Sequence, residues 1–93
     1  MMQPKPVLDP QQFADEPPIS DTLTDYDHRM MVVYLRLLDA AAENADWREV
    51  ARIVLKVDPD KEPARAKRMH ETHLARARWM TEHGYRDLLR PPH

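Results

Sequence analysis

The chain has 93 residues, no cysteine, one glycine and nine prolines, and its acidic and basic residues nearly balance at a formal net charge of −2. The lack of cysteine excludes disulfides and thiolate metal sites, and a single glycine argues against a phosphate-binding glycine loop or a fold of many tight hairpins. Apart from its proline-rich start, the chain is rich in strong helix formers, so we predict one small all-α domain.

Residues 1–22 contain five prolines, scattered acids and few large apolar side chains. Such a segment buries too little surface to offset its ordering entropy, so we predict a disordered, acidic, proline-rich arm. The alternative, that some of its apolar side chains dock on the domain, stays open for Val7, Leu8, Phe13 and Ile19. The start of the chain lacks the apolar core of a secretory signal, and no apolar run is long enough to span a membrane, so we expect a cytoplasmic protein.

The first helix is predicted from Thr24 to about Glu43. Thr24 is a good N-cap, and Asp27, three residues on, resembles a capping box. The apolar residues of this helix form two adjacent stripes, which are Met30, Tyr34, Leu37 and Ala41, and Met31, Leu35, Leu38 and Ala42. Their combined arc of about 200° exceeds the roughly 100° of an ordinary surface helix. Either the helix is central and packed on both sides, or Met31 and Leu35 form a partner-binding patch.

A second helix is predicted after the N-cap Asp46, with Trp47, Val50, Ala51 and Val54 as its buried stripe. The third begins at Glu62 or Pro63, because proline is favoured in the first turn, and runs to about His83. Its predicted inward stripe is Ala66, Met69, His70, His73, Ala77 and Met80. We therefore predict a trihelical, helix-turn-helix-like domain at residues 23–90, closed by a short C-terminal helical turn, and a tail at residues 91–93.

The connection between the second and third helices, "KVDPDKEP", is an extended turn, since DNA-binding helix-turn-helix units use about three or four residues here. Asp58, Asp60 and Glu62 lie in this turn, close to where phosphates lie when such a helix enters the major groove. The three carboxylates are therefore expected to oppose DNA binding.

The third helix nevertheless carries a basic set that a DNA-binding helix would need, namely Arg65, Lys67, Arg68, Arg76 and Arg78. A solvated, salt-bridged face is the simpler interpretation of this set. Trp79 points away from the predicted inward stripe, so it is either an interface anchor or is covered by the following "GYRDLL". His70 and His73 have a spacing that can bind zinc, but histidines in the core or at its boundary are the simpler explanation. No catalytic set, cofactor site or small-molecule site is recognisable.

The resemblance to a known family extends over residues 23–90, and six pieces within this range carry it: "TDYD", "YLRLLDA", "DWREVARIVL", "DPDKEPARA", "HLARARWM" and "GYRDLL". In them the chain resembles domain-of-unknown-function family 2285, which is found on integrative and conjugative elements of proteobacteria. The resemblance implies a helix-turn-helix variant with an extended turn. It also implies that a stand-alone member acts as a transcriptional antiactivator.

By mimicking an activator's own helix-turn-helix-like domain, such a protein would bind the N-terminal domain of an FseA-like activator, and the quorum-sensing regulator TraR is a further partner that the resemblance suggests. Excision and conjugative transfer of the mobile element would then be inhibited. On this hypothesis Met31, Leu35 and Trp79 contact the partner, and DNA binding is weak or absent. The alternative is a transcription regulator that binds DNA directly through its third helix, with Arg65, Lys67, Arg68 and Arg76.

Overall fold

The computed structural model of the protein describes residues 13–84, and every regular element in this range is helical. The elements are α1 (Asp25–Arg29), α2 (Met31–Ala42), α3 (Trp47–Ile53), α4 (Pro63–Trp79) and a π-helical turn, Met80–Gly84. The predicted all-α class is therefore confirmed. In this part of the chain no helix is long and apolar enough to cross a membrane.

The helices begin at the residues that the capping signals predict. Thr24 Oγ1 accepts a hydrogen bond from the Asp27 N–H (3.2 Å), and the Asp27 carboxylate accepts one from the Thr24 N–H (2.9 Å), which completes the predicted capping box. Asp46 accepts from the Arg48 N–H (3.1 Å) at the start of α3. Pro63 occupies the first turn of α4, where its missing N–H has no helical acceptor to lose.

The predicted first helix is in fact two helices. At Met30 the backbone leaves the helical region (φ −89°, ψ 5°), and α2 begins at the next residue. No proline or glycine marks this position in the sequence. At the other end of α2, Asn44 is left-handed (φ 56°), and the Ala45 N–H donates to the Ala40 carbonyl (3.0 Å), so the helix ends close to the predicted end at Glu43.

The core lies where α4 packs against α2 and α3. Five of the six residues in the predicted inward stripe of the third helix are buried, namely Ala66, Met69, His73, Ala77 and Met80. The sixth, His70, is half-buried. On the α1–α2 side, the first predicted stripe supplies Met30, Tyr34 and Leu37 to the core. Its second stripe lies at the edge of the core, and Leu35 is exposed.

The extended turn between α3 and α4 is held by side chains of its own. Leu55, Val57 and Pro59 are buried, so alternate residues of the turn point into the domain. Asp58 Oδ1 accepts from the Asp60 N–H (2.9 Å), which fixes the bend that leads into α4. Lys56 adopts a left-handed conformation (φ 59°) between two of the buried residues.

Residues 13–24 form no helix or strand, yet they lie on the domain. The Phe13 side chain belongs to the core, so docking, which the sequence left open for this residue, occurs here, whereas Ile19 is fully exposed. Val7, Leu8 and the rest of the predicted arm up to residue 12 lie outside the described residues. So do the predicted C-terminal turn and tail, from residue 85 onward.

Candidate nucleic-acid interface

A buried ion pair fixes α4 against the start of α1. Arg76 Nε and Nη2 donate to the two carboxylate oxygens of Asp27, at 3.0 and 2.7 Å. The same guanidinium donates to the backbone carbonyls of Ser20 (2.9 Å) and Thr22 (3.1 Å). Both charged side chains are buried. The structure thus places Arg76, which the sequence grouped with the DNA-binding arginines, inside the domain, where phosphates do not reach it.

The Asp27 carboxylate is the centre of this network. It also accepts from the Tyr34 hydroxyl (2.7 Å) and the Thr24 hydroxyl (3.0 Å). Burial alone would raise the pKa of Asp27, but hydrogen bonds from Arg76, the Thr24 backbone and Tyr34 outweigh it and lower the pKa to about 2. The hydrogen bond to Asp27 in turn raises the pKa of Arg76. The pair is therefore ionised at neutral pH.

Opposite the buried stripe, α4 presents a solvent-facing surface of basic and small side chains. We call it the exposed α4 face, and it comprises Ala64, Lys67, Arg68, Glu71, Ala75 and Arg78. Three cations and one carboxylate give it a formal balance of +2. The two alanines leave the backbone accessible, so another surface can approach the helix closely.

The carboxylates of the acidic turn are engaged within the domain. Asp60 pairs with Arg52 (3.3 Å) and Glu62 with Arg65 (3.2 Å), while Asp58 accepts the backbone hydrogen bond described above. Because two of the three charges have a cationic partner, the negative potential beside the start of α4 is weaker than the bare sequence implies.

The four predicted DNA-binding residues thus occupy three different environments. Lys67 and Arg68 lie on the exposed α4 face. Arg76 is buried, and Arg65 is engaged on the flank of the helix. Its Nε donates to the Asp15 carboxylate (2.8 Å), and the hydrogen bonds to Asp15 and then to Glu62 raise the pKa of Arg65.

The predicted partner-binding residues lie on two helices. On α2, Leu35 is 52% exposed and Met31 is half-buried. Val32, which belongs to neither predicted apolar stripe of the first helix, is 61% exposed and lies on the same outer surface as Leu35. Helical spacing alone would have found it, since Val32 lies three residues before Leu35.

Trp79 is only half-buried and lies on the flank of α4. The Arg76 guanidinium carbon is 3.8 Å from the centroid of its ring, and His83 stacks at 6.1 Å. Pro17 and Pro18 line a shallow groove together with Trp79, so part of the N-terminal segment lies beside the indole. The residues from Tyr85 onward, which the sequence offered as a cover for Trp79, lie outside the described part of the chain.

His73 is a core residue, as predicted. One ring nitrogen, Nδ1, is 2.8 Å from the Met69 carbonyl, and the other, Nε2, is 2.7 Å from the Tyr26 hydroxyl. The Tyr26 oxygen accepts from the Ala14 N–H (3.0 Å). Burial lowers the pKa of His73, so the imidazole is neutral at pH 7. Both nitrogens are used, and within residues 13–84 no group of three potential metal ligands comes together.

Two ion pairs of the site join residues that are far apart in the sequence, so local patterns do not predict either pairing. Asp27 and Arg76 are 49 residues apart, and Asp15 and Arg65 are 50 apart. One indication was available for Arg76. At 100° per residue it lies 20° from Met69, on the buried side of the helix.

Comparison with known proteins gives a family for the chain. A search of curated proteins finds no match. Residues 8–90 match the RovC DNA-binding domain family, described as the DNA-binding domain of a T6SS transcription factor. The match covers all four α-helices, the extended turn and the exposed α4 face. The chain belongs to the RovC DNA-binding domain family.

Proposed function

We propose that the protein is a transcription regulator that binds DNA, with α4 as the helix that enters the major groove. The family, a transcription-factor DNA-binding domain, supports this function and favours it over the antiactivator hypothesis. The arrangement of α3, an extended turn and a long α4 braced by α2 is that of a helix-turn-helix variant. In such units the second helix of the pair lies in the groove.

The observation that carries the proposal is the charge of the exposed α4 face. Lys67, Arg68 and Arg78 are exposed along a helix of 17 residues, long enough to contact phosphates on either side of a groove. The acidic total of the chain does not cancel this local charge, because screening limits interactions between exposed charges to about 10 Å at 0.1 M salt.

The N-terminal half of the exposed α4 face is where base edges would lie. Arg68 can donate to guanine O6 and N7, and Ala64 offers a small side chain that contacts a thymine methyl. Glu71 opposes phosphate but can accept from a cytosine amine, which makes it a candidate for sequence discrimination. Arg78, two turns further along, is placed for a phosphate.

A salt titration of DNA binding tests the proposal. Fluorescence anisotropy with a labelled duplex of about 25 base pairs of arbitrary sequence should give a slope of log K against log salt near −2.7, because on nonspecific DNA all three cations contact phosphates and each releases about 0.9 counterion. The slope should become shallower by about 0.9 in each of three single variants, Lys67→Gln, Arg68→Gln and Arg78→Gln.

The matched control is Arg36→Gln. Arg36 is exposed on α2, and its loss changes the net charge by the same amount. It should leave the slope unchanged. If the wild-type protein binds no duplex below tens of micromolar at 50 mM salt, or if Arg36→Gln weakens binding as much as the α4 variants, the proposed function is wrong.

A second candidate is the antiactivator, which the resemblance to family 2285 and its stand-alone member QseM suggests. The supporting observation is the apolar outer surface of α2, where Val32 and Leu35 are more than half exposed. Exposed apolar surface of this kind is typical of protein interfaces. On this proposal the partner is the N-terminal domain of an FseA-like activator, or TraR.

Copurification with such an activator domain tests this second candidate. Leu35→Asp should abolish capture and Trp79→Ala should weaken it, each with unchanged far-UV circular dichroism. Arg36→Gln, next to Leu35, is the control that retains capture. Loss of helicity in Leu35→Asp would mean that the side chain serves the core.

A further inference from the structure

The N-terminal strap, residues 13–22, lies along one flank of α4. It is anchored at one end by Phe13, whose side chain is in the core, and by the Ala14 N–H, which donates to Tyr26. At the other end, Arg76 holds the carbonyls of Ser20 and Thr22. The strap is therefore attached at both ends, with its middle part beside the helix.

An acidic residue in the middle of the strap forms an ion pair with a basic residue of α4. Asp15 Oδ1 lies 2.8 Å from Arg65 Nε, and Glu16 follows immediately. The strap has three acidic residues and no basic one. Arg65 already pairs with Glu62, the N-cap residue of α4, so Asp15 is a second carboxylate on the same guanidinium.

The flank that the strap covers adjoins the exposed α4 face. Its residues follow helical spacing, and they are Arg65, Thr72, Arg76 and Trp79. Thr72 lies one turn after Arg68, and its hydroxyl donates to the Arg68 carbonyl (2.7 Å). A helix about 10–12 Å across nearly fills a major groove about 12 Å wide, so both flanks of an inserted helix face phosphates.

We propose that the strap is autoinhibitory and that the Asp15 carboxylate occupies Arg65 in the place of a DNA phosphate. This inference rests on the proposed function, because it concerns the regulation of the same surface. The ion pair is exposed on both sides, with 43% of the Arg65 side chain and 56% of the Asp15 side chain accessible. Exposed pairs of this kind are weak, so DNA can displace the carboxylate. The strap thus lowers DNA affinity without preventing binding.

The experiment compares four proteins in the same salt titration: wild type, Asp15→Asn, Asp21→Asn and the double variant Asp15→Asn with Arg65→Gln. Asp21 is the matched control, because it is an exposed acid of the same strap. If Arg65 becomes free to contact one more phosphate, the affinity for DNA should rise up to about eightfold at 0.1 M salt. The slope of log K against log salt should become steeper by about 0.9.

We expect Asp15→Asn to bind more tightly and with the steeper slope, Asp21→Asn to stay near wild type, and the double variant to lose the gain. Equal increases in Asp15→Asn and Asp21→Asn would mean a general charge effect and would overturn the autoinhibition while leaving the DNA-binding function intact. No change in Asp15→Asn would also overturn it. Absence of DNA binding in all four proteins would instead refute the proposed function, and the inference with it.

Discussion

Replacing Asp27 by asparagine should destabilise the domain severely. The substitution keeps the shape of the side chain but removes the charge that faces Arg76, leaving a buried guanidinium without its counterion. It also places an amide N–H₂ among donors, since Arg76, Tyr34 and Thr24 all donate to this carboxylate. Breaking one side of a buried ion pair costs about 3–5 kcal/mol.

That loss is large for a domain of this size. At about 0.05–0.15 kcal/mol per residue, roughly 70 residues give a free energy of unfolding of about 4–10 kcal/mol. With 4–8 °C per kcal/mol, a loss of about 3–5 kcal/mol in Asp27→Asn should lower Tm by roughly 12–40 °C. Thermal unfolding followed by circular dichroism at 222 nm measures this change directly.

The matched control is Asp25→Asn, the same chemical change two residues earlier on an exposed position of α1. We expect a loss below about 1 kcal/mol, from the helix dipole alone. The reasoning would be refuted if Asp27→Asn lost no more stability than Asp25→Asn. A double variant, Asp27→Leu with Arg76→Met, should recover part of the loss, because two apolar side chains leave no buried charge unpaired.

Three further predictions concern pH and backbone strain. The pKa of Asp27 is lowered from 3.8 to about 2, so the ionised carboxylate contributes its full stabilisation of the fold at pH values above the pKa of the unfolded chain. This contribution should fall as the pH drops from about 5 toward 2. Acid unfolding titrations of wild type and Asp27→Asn should differ in this window. His73 has a lowered pKa in the folded state, so the unfolded chain takes up the proton first, and stability should decline below about pH 6.5; chemical denaturation at pH 7.5 and 5.5 should show a loss that His73→Gln lacks. Lys56 has a left-handed backbone, and Lys56→Gly should raise stability by about 1 kcal/mol, whereas glycine at the helical Lys67 should lower it by a similar amount.

Local signals predicted most of the fold. The capping residues Thr24, Asp46 and Pro63 and the spacing of apolar residues in α4 depend on interactions within one or two helical turns, which the sequence displays directly. The structure confirms these helix starts and the α4 core stripe. The break at Met30 was not predicted, because no residue type there opposes a helix.

The site was predicted less well, because it depends on contacts between distant residues. Counting basic residues along α4 placed Arg76 and Arg65 with Lys67 and Arg68. Helical spacing puts Arg76 on the buried side of α4, but only the folded chain shows that Arg76 pairs with Asp27 and Arg65 with Asp15. For the same reason the sequence predicts unpaired carboxylates in the acidic turn, since the pairing of Asp60 with Arg52 spans eight residues and a change of direction.

The hydrogen-bonded series from the Ala14 amide through Tyr26 to His73 gives the molecule an internal reporter. Departure of the first residues of the strap would remove one donor from the phenol oxygen and alter the environment of a histidine that no solvent reaches. In ¹⁵N-labelled protein mixed with unlabelled DNA, the ¹⁵N chemical shifts of that imidazole would therefore report whether the strap is bound or displaced. No probe needs to be attached to the surface that binds the nucleic acid.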